Sequence, residues 1–120
     1  MSDYKFSLPF PPSVNAWKTP FRGRMILTKK GREYRKLAYD HMAELGLCGE
    51  LVACPVAISI VLHGPTNAKR DLDNFLKSPL DALTNCGFWH DDSQVDRLKI
   101  VRGEKVKGGR LDITVEKLED

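Results

Sequence analysis

Apolar and polar residues follow strand-like and turn-like patterns over the first part of the chain. Tyr4 to Leu8 alternates between the two classes, a pattern typical of a strand. Prolines at positions 9, 11 and 12 then force an extended loop. A glycine-centred turn at Arg22-Gly23-Arg24 lies between Phe21 and Met25, so this segment predicts a short hairpin with a basic tip.

Two later stretches have the spacing of amphipathic helices. The first is predicted to run from an N-cap at Thr28 to about Leu45, where Gly46 ends it. Its expected apolar face consists of Tyr34, Leu37, Ala38, Met42 and Leu45. The second covers about Asp73 to Cys86. Pro79 falls inside it and either kinks the helix or occupies its first turn, with Ser78 as N-cap.

Three further strands complete the predicted fold. Val56 to Leu62 is apolar and β-branched, which favours a central strand. Gln94 to Lys105 and Arg110 to Leu118 are predicted to form an antiparallel hairpin around the turn at 107–110. The order of these elements predicts an α+β fold, a single domain over residues 1–120 in which two main helices pack on a mixed sheet.

Composition limits the class of protein. The chain has 120 residues, of which 42% are apolar, enough for one modest core. Its apolar runs are too short to span a bilayer, and its first residues do not resemble a secretory signal. The three cysteines, Cys48, Cys54 and Cys86, lack C-x-x-C spacing. We therefore expect a cytoplasmic protein with idle thiols, no membrane partner and no organic cofactor.

The formal net charge of +3 conceals three zones of opposite sign. Residues 18–36 hold eight basic side chains and one acid, and residues 97–110 hold six basic side chains and one acid. Between them, residues 71–96 hold six aspartates and one lysine. Basic zones are typical of phosphate contacts, and a compact group of aspartates is typical of a site for a hard cation.

The acidic zone contains candidate metal ligands. Asp71 and Asp73 are two residues apart, so in extended backbone their side chains would project to the same side. Asp91 or Asp92, at the start of the next strand, could return to the same point. Carboxylates held this close repel one another unless a cation or shared protons offset the repulsion. Oxygen ligands alone favour Mg²⁺, with Mn²⁺ as a substitute, over zinc.

Lys77 and the aspartates each have a structural interpretation beside the chemical one. Lys77 lies four residues after Asp73 and could form an ion pair with it on one helix face. It could instead neutralise charge that develops on a phosphate. Asp73 could be a helix N-cap, and Asp91 and Asp92 could be turn residues. Residues and spacing alone leave these alternatives open.

Four motifs in this order resemble the RusA family of Holliday junction resolvases. They are L-P-F-P-P-S-V-N at 8–15, R-D-L-D-N at 70–74 with Lys77, G-F-W-H-D-D-S-Q-V at 87–95, and K-G-G at 107–109. The resemblance covers nearly the whole chain. It implies a RusA-like fold and a homodimer that cuts four-way DNA junctions with Mg²⁺.

The resemblance also assigns roles to residues. It implies that Asp71, Asp73 and Asp92 are the catalytic metal ligands and that Lys77 is the catalytic lysine. Asp91 is a neighbour that could assist, and whether it is also essential stays open. The side chains expected to hold DNA through its phosphates are Arg22, Arg24, Lys29, Lys30, Lys69, Arg70, Lys107 and Arg110. Paired nicks in a two-fold junction need two active sites, which a chain this small supplies by dimerising. The helix faces, Phe88 and Trp89 are candidates for that interface.

Three other functions stay open on the sequence. A different Mg²⁺-dependent nuclease for branched or flap DNA would share the same site chemistry. A DNA-binding protein could fold around a structural cation and cut nothing. A domain with an acidic turn and no role in nucleic-acid metabolism is the third.

Overall fold

A four-stranded mixed sheet and two main helices form the fold in the computed structural model, which describes residues 2–118. In chain order the elements are β1 (Tyr4–Pro9), α1 (Val14–Trp17), β2 (Lys18–Phe21), β3 (Arg24–Leu27), α2 (Lys29–Glu44), β4 (Val56–His63), α3 (Lys77–Asn85), β5 (Val95–Arg102) and β6 (Arg110–Lys117). Short 3-10 turns at Leu72–Phe75 and Asp92–Gln94 precede α3 and β5. The predicted α+β class is confirmed.

The sheet has the strand order β1-β6-β4-β5. β6 pairs antiparallel with both β1 and β4, whereas β4 pairs parallel with β5. Ile60 in the middle of β4 lies opposite Ile113 of β6 and Ile100 of β5. β4 is therefore a central strand, as its apolar sequence predicted.

The predicted hairpin of the last two strands is wrong, because β5 and β6 lie on opposite sides of β4. The chain passes from β4 through α3 and returns to the same end of the sheet, so β5 runs parallel to β4. After β5 it crosses the end of β4. There the Gly103 N–H donates to Leu62 O (2.9 Å) and the Val106 N–H donates to Gly64 O (3.0 Å).

Burial explains why β6, and not β5, enters the interior of the sheet. β6 places Leu111, Ile113 and Val115 in the core. β5 leaves most of its side chains exposed, including Arg97 and Lys99. Charged side chains on an exposed strand also discourage pairing with other chains, so β5 suits the edge that it occupies.

The small hairpin and the start of α2 confirm the sequence prediction. β2 and β3 pair antiparallel, and the turn between them holds Arg22 and Gly23 at φ values of 50° and 77°. Two positive φ values are the requirement of a type I′ hairpin turn. Thr28 caps α2, since its Oγ1 accepts a hydrogen bond from the Gly31 N–H at 2.9 Å.

The buried face of α2 is narrower than the sequence predicted. Its buried side chains, Tyr34, Ala38 and Met42, follow one another at intervals of four residues. Each step of four residues rotates the side-chain position by about 40° around the helix axis, whereas a step of three residues rotates it by about 60° in the opposite direction. Leu37 and Leu45 follow buried residues by three positions, and both are exposed, so only part of the predicted apolar face packs against the core.

The predicted second helix is two elements. Leu72–Phe75 is a 3-10 turn, and α3 begins afresh at Lys77. Pro79 lies in the first turn of α3, where its missing N–H is tolerated. The Ser78 hydroxyl does not cap the helix; it donates to Pro12 O at 2.9 Å. None of the helices within residues 2–118 has the length and apolarity needed to cross a membrane.

The two aromatics considered for a dimer interface belong to the core. Phe88 and Trp89 are almost completely buried. Phe88 meets the rings of Tyr4 and Phe6 edge to face, with centroids 5.1 Å and 5.5 Å apart. The Trp89 indole N–H donates to Thr84 Oγ1 at 2.7 Å. Neither ring presents a surface to a partner, so this interpretation is wrong.

Candidate functional site

Lys77, the first residue of α3, lies between two carboxylates. Its Nζ is 3.4 Å from Asp81 Oδ1 and 3.9 Å from Asp92 Oδ2. The alternative of a helix face shared with Asp73 is wrong, because the 3-10 turn that holds Asp73 ends before α3 begins. The Lys77 side chain is 51% exposed, so its ammonium group is accessible from solvent.

Asp81 organises this part of the site, although the sequence marked it only as one charge of the acidic zone. It lies one turn after Lys77 on α3, and its side chain is 18% exposed. Asp81 Oδ2 accepts a hydrogen bond from the Trp17 indole N–H at 2.9 Å and lies 3.8 Å from Lys18 Nζ. The i, i+4 spacing to Lys77 was the signal that could have identified it.

A capping box holds the turn that carries Asp92. Asp91 caps the 3-10 turn and accepts a hydrogen bond from the Ser93 N–H at 3.2 Å. The Gln94 side chain accepts from the N–H groups of His90 and Asp91, each at 2.9 Å. Hydrogen bonds from Ser93, its side chain first, hold the pKa of Asp91 below its ordinary value. Asp91 thus takes the turn role that the sequence allowed.

The same glutamine ties this turn to the rest of the fold. Gln94 Nε2 donates to Val52 O at 2.8 Å and to Cys54 O at 3.0 Å. Its amide therefore satisfies four backbone groups and fixes where the Asp92 turn begins. Gln94 belongs to the motif at 87–95, and this role could not be read from the motif.

Asp71 and Asp73 lie on a different piece of backbone from the one predicted. Asp71 is extended, with φ −80° and ψ 123°, and it occupies the N-cap position of the turn at Leu72–Phe75. Asp73 lies inside that turn, and its side chain is exposed. The extended-backbone argument for a shared direction is therefore wrong, since a 3-10 helix turns about 120° at each residue. Their role as ligands stays a prediction.

Two arginines brace the loop that leads into this turn. Arg70 Nη1 donates to Thr66 O and Ala68 O, both at 3.0 Å, and its guanidinium lies 5.5 Å from the centroid of the Phe10 ring. Arg102, on β5, donates to Arg70 O through Nη2. Both side chains hold the backbone just before Asp71, and Arg102 was not identified from the sequence.

The three candidate ligands have the right chemistry for a hard divalent cation, but their arrangement within one chain fits such an ion less well. Asp71, Asp73 and Asp92 offer only carboxylate oxygens, the ligands that Mg²⁺ prefers. Within residues 2–118, however, no three His, Cys, Asp or Glu side chains form a group that could hold a metal ion. Mg²⁺ commonly needs only one or two carboxylates and completes its shell with water and substrate phosphate.

The side chains predicted to contact DNA lie in separate parts of the surface. Arg22 and Arg24 belong to the β2–β3 hairpin, and Lys29 and Lys30 begin α2. The others lie in the loop before the Asp71 turn (Lys69 and Arg70) and around the start of β6 (Lys107 and Arg110). Arg110 is partly neutralised within the chain, because its Nε is 2.9 Å from Asp112 Oδ1. DNA contact stays a prediction for all eight.

The cysteines are not linked to one another. Cys48 and Cys54 are half-buried, Cys86 is buried, and all three are free thiols. Burial raises the pKa of Cys86 to about 11, so its thiol is protonated at neutral pH. A protonated buried thiol is a poor nucleophile, in keeping with the expected idle role.

Comparison with known proteins supplies the family. Residues 9–116 match the family model described as Endodeoxyribonuclease RusA. The chain is 40% identical over 119 residues to proteins named Crossover junction endodeoxyribonuclease RusA from Escherichia coli (strain K12) and Shigella sonnei (strain Ss046). Each alignment covers 96% of this chain and 95% of the relative, and a relative of the same name from Enterobacteria phage 82 gives the same values. The chain belongs to the RusA family of endodeoxyribonucleases.

Proposed function

We propose that this protein is a crossover junction endodeoxyribonuclease that resolves four-way DNA junctions. The observation that carries the proposal is a near-complete family match together with the position of Lys77 beside Asp92 and Asp81. A lysine held near carboxylates and accessible to solvent is suited to phosphodiester hydrolysis. The products would carry a 5′-phosphate and a 3′-hydroxyl, which a ligase can join.

Asp71, Asp73 and Asp92 are the proposed ligands for Mg²⁺, which Mn²⁺ could replace. When bound, the ion would polarise the scissile phosphate and lower the pKa of a water molecule. The protein's own contribution is to present the carboxylates. The capping box fixes the backbone of Asp92, and the Arg70–Arg102 contact fixes the backbone before Asp71.

Lys77 is the proposed group that stabilises charge on the phosphate in the transition state. In the free protein its ammonium is shared between Asp81 and Asp92. If Asp92 held the cation, Asp81 would still keep Lys77 at the edge of the site. A short movement of its exposed chain would then bring Nζ to a phosphate oxygen.

Resolution of a junction also requires a second active site. A four-way junction has approximate two-fold symmetry, and two symmetric nicks are needed to release two duplexes. We therefore propose that the protein acts as a homodimer, since a two-fold dimer presents two matching sites. The cytoplasm is the expected location, with no membrane partner and no organic cofactor.

The decisive experiment is cleavage of a mobile four-way junction in the presence of Mg²⁺, with the two nicks mapped on opposite strands. We expect paired, symmetric nicks. Asp73→Asn should abolish cleavage while folding and junction binding are retained, because the substitution removes a ligand charge from an exposed side chain. Gel-shift and circular dichroism measurements on the same variant provide the control.

The outcomes of this assay distinguish the other functions. Faster cutting of flaps than of four-way junctions would indicate another branched-DNA nuclease. Junction binding without nicking at any Mg²⁺ or Mn²⁺ concentration would indicate a DNA-binding protein that is not an enzyme. Cleavage by Asp73→Asn at the rate of the unmodified protein would refute the ligand role of Asp73.

A further inference from the structure

A groove outside the proposed active site runs along the outer face of α2. The β2–β3 hairpin forms one wall and the C-terminal end of α3 closes it, and its volume is about 790 Å³. That volume is typical of a ligand-binding cleft. The lining residues are Arg24, Met25, Ile26, Leu27, Arg32, Arg35, Lys36, Tyr39, Asp40 and Asn85.

The floor of this groove is apolar and open to solvent. Met25 is 59% exposed and Tyr39 is 45% exposed, and both line the groove with Ile26 and Leu27. Exposed large apolar side chains gathered in one depression are typical of a binding surface. The aromatic ring of Tyr39 adds a flat face on which a planar ligand can stack.

The rim is strongly basic. It carries Arg24, Arg32, Arg35 and Lys36 against a single acid, Asp40. Asp40 is already engaged, since its Oδ2 lies 2.9 Å from Lys36 Nζ. Arg35 is half-buried, and its Nε atom is buried without a hydrogen-bond partner among residues 2–118. The excess positive charge favours an anionic ligand in the groove.

We propose that this groove binds an unpaired nucleotide segment of the DNA substrate, with its phosphates on the arginines and a base against Tyr39 and Met25. A basic track beside an exposed aromatic ring is the general arrangement for binding single-stranded nucleic acid. A DNA duplex would contact the basic side chains through its phosphates but would not contact the apolar floor of the groove. The inference rests on the proposed function, because it assigns a specific part of the same DNA to the groove.

The position of the groove supports a DNA occupant over a protein one. Asn85 lines the groove at the last residue of α3, and Lys77 is the first residue of the same helix. At 1.5 Å per residue the two are separated by about 12 Å along the axis, a span of a few nucleotides. A strand cut near Lys77 can therefore continue into the groove when it is unpaired at the branch point.

The test measures binding of fluorescein-labelled oligothymidylate of eight nucleotides (dT8) by fluorescence anisotropy, with EDTA present. Tyr39→Ala should weaken dT8 binding about fivefold or more, because it removes the stacking face. Tyr39→Phe should bind dT8 with the affinity of the unmodified protein, because it keeps the aromatic ring. Leu37→Ala is the matched control, since Leu37 is 52% exposed on α2, close to the 45% of Tyr39, and does not line the groove.

Arg35→Gln provides an independent variant on the rim and should also weaken dT8 binding about fivefold or more. Lys5→Gln, an exposed charge on β1 remote from the groove lining, should leave that affinity unchanged. A 16-base-pair duplex serves as the comparison ligand. We expect Tyr39→Ala to leave its affinity within twofold of the starting value.

Three results would overturn the inference. The first is unchanged dT8 binding in both Tyr39→Ala and Arg35→Gln. The second is that Tyr39→Ala weakens the binding of dT8 and of the duplex equally, and the third is that the groove binds an aspartate-rich octapeptide ending in Phe in place of dT8. The assay contains no metal, so failure of the proposed nuclease would not alter these affinities. Failure of the inference alone would leave junction cleavage intact.

Discussion

Asp81 links Lys77, four residues before it, to two side chains that are distant from it in the sequence. It accepts a hydrogen bond from Trp17, lies near Lys18 and forms the closer ion pair of Lys77. Trp17 is completely buried, so its indole N–H needs an acceptor inside the protein. The carboxylate therefore satisfies a core residue and restrains a surface lysine, which makes Asp81 a positioning residue for Lys77.

Asp81→Asn tests this role. The amide oxygen can still accept the Trp17 hydrogen bond, but the charge that restrains Lys77 is lost. We expect the single-turnover cleavage rate to fall roughly tenfold, or about 1.4 kcal/mol, with junction affinity unchanged or slightly higher. Rapid-quench cleavage and anisotropy on the same variant measure the two quantities separately.

Asp81→Glu and thermal unfolding complete that experiment. Glutamate restores the charge, so part of the lost rate should return. If Asp81→Asn cleaves at the unmodified rate and only its melting temperature falls, Asp81 is a structural residue. The sequence indicates only the i, i+4 spacing to Lys77. The contact with Trp17 depends on α1 and α3 coming together, and Trp17 and Asp81 are 64 residues apart.

At the level of elements, short-range sequence signals predicted the structures that neighbouring residues form, which are the Thr28 cap and the glycine turn of the β2–β3 hairpin. The central position of β4 was predicted from its apolar composition, although its pairing partners are distant in the sequence. The pairing partner of β6 was not predicted correctly, because a turn at 107–109 is compatible both with a β5–β6 hairpin and with a connection that crosses the end of β4. The strand order depends on the sheet as a whole, in which the apolar β6 occupies an interior position and the charged β5 occupies an edge.

The contact between α1 and α2 depends on one glycine. A Cβ atom at Gly31 would lie 2.4 Å from Trp17 O and 3.2 Å from Trp17 Cε3. The Trp17 carbonyl cannot move freely, since it accepts a hydrogen bond from the Thr28 N–H at 3.1 Å. The helix thus contains a glycine where helix propensity alone would favour alanine.

Gly31→Ala should therefore destabilise the protein by about 1–3 kcal/mol, the usual cost of overpacking, despite the higher helix propensity of alanine. Urea unfolding followed by circular dichroism measures the change. Lys30→Ala is the control, because Lys30 is exposed in the same turn and its substitution should be nearly neutral. A Gly31→Ala protein as stable as the unmodified one would contradict the close contact.

For the whole molecule, the net charge of +3 is less informative than where the charges lie. The predicted DNA contacts come from a hairpin, a helix start and two loops, so a substrate that touches them all must extend across several elements. Within residues 2–118, six of them neither form an ion pair nor brace a loop, whereas Arg70 and Arg110 already serve within the chain. The zones were visible in the sequence, but these internal partners were not.

This distribution predicts a steep dependence of junction binding on salt. About six phosphate contacts per protomer, or twelve for the proposed homodimer, correspond to a slope near −11 in log K against log[salt], and affinity should fall about 10⁶-fold between 50 and 200 mM. Lys107→Gln should reduce the slope by about two units, one for each protomer, and Lys5→Gln, on the exposed side of β1, should leave it unchanged. Anisotropy titrations of a labelled junction in EDTA, repeated at four salt concentrations, measure both slopes. An affinity that is flat across this range would show that the basic zones do not hold the phosphates, and that some other surface binds the junction.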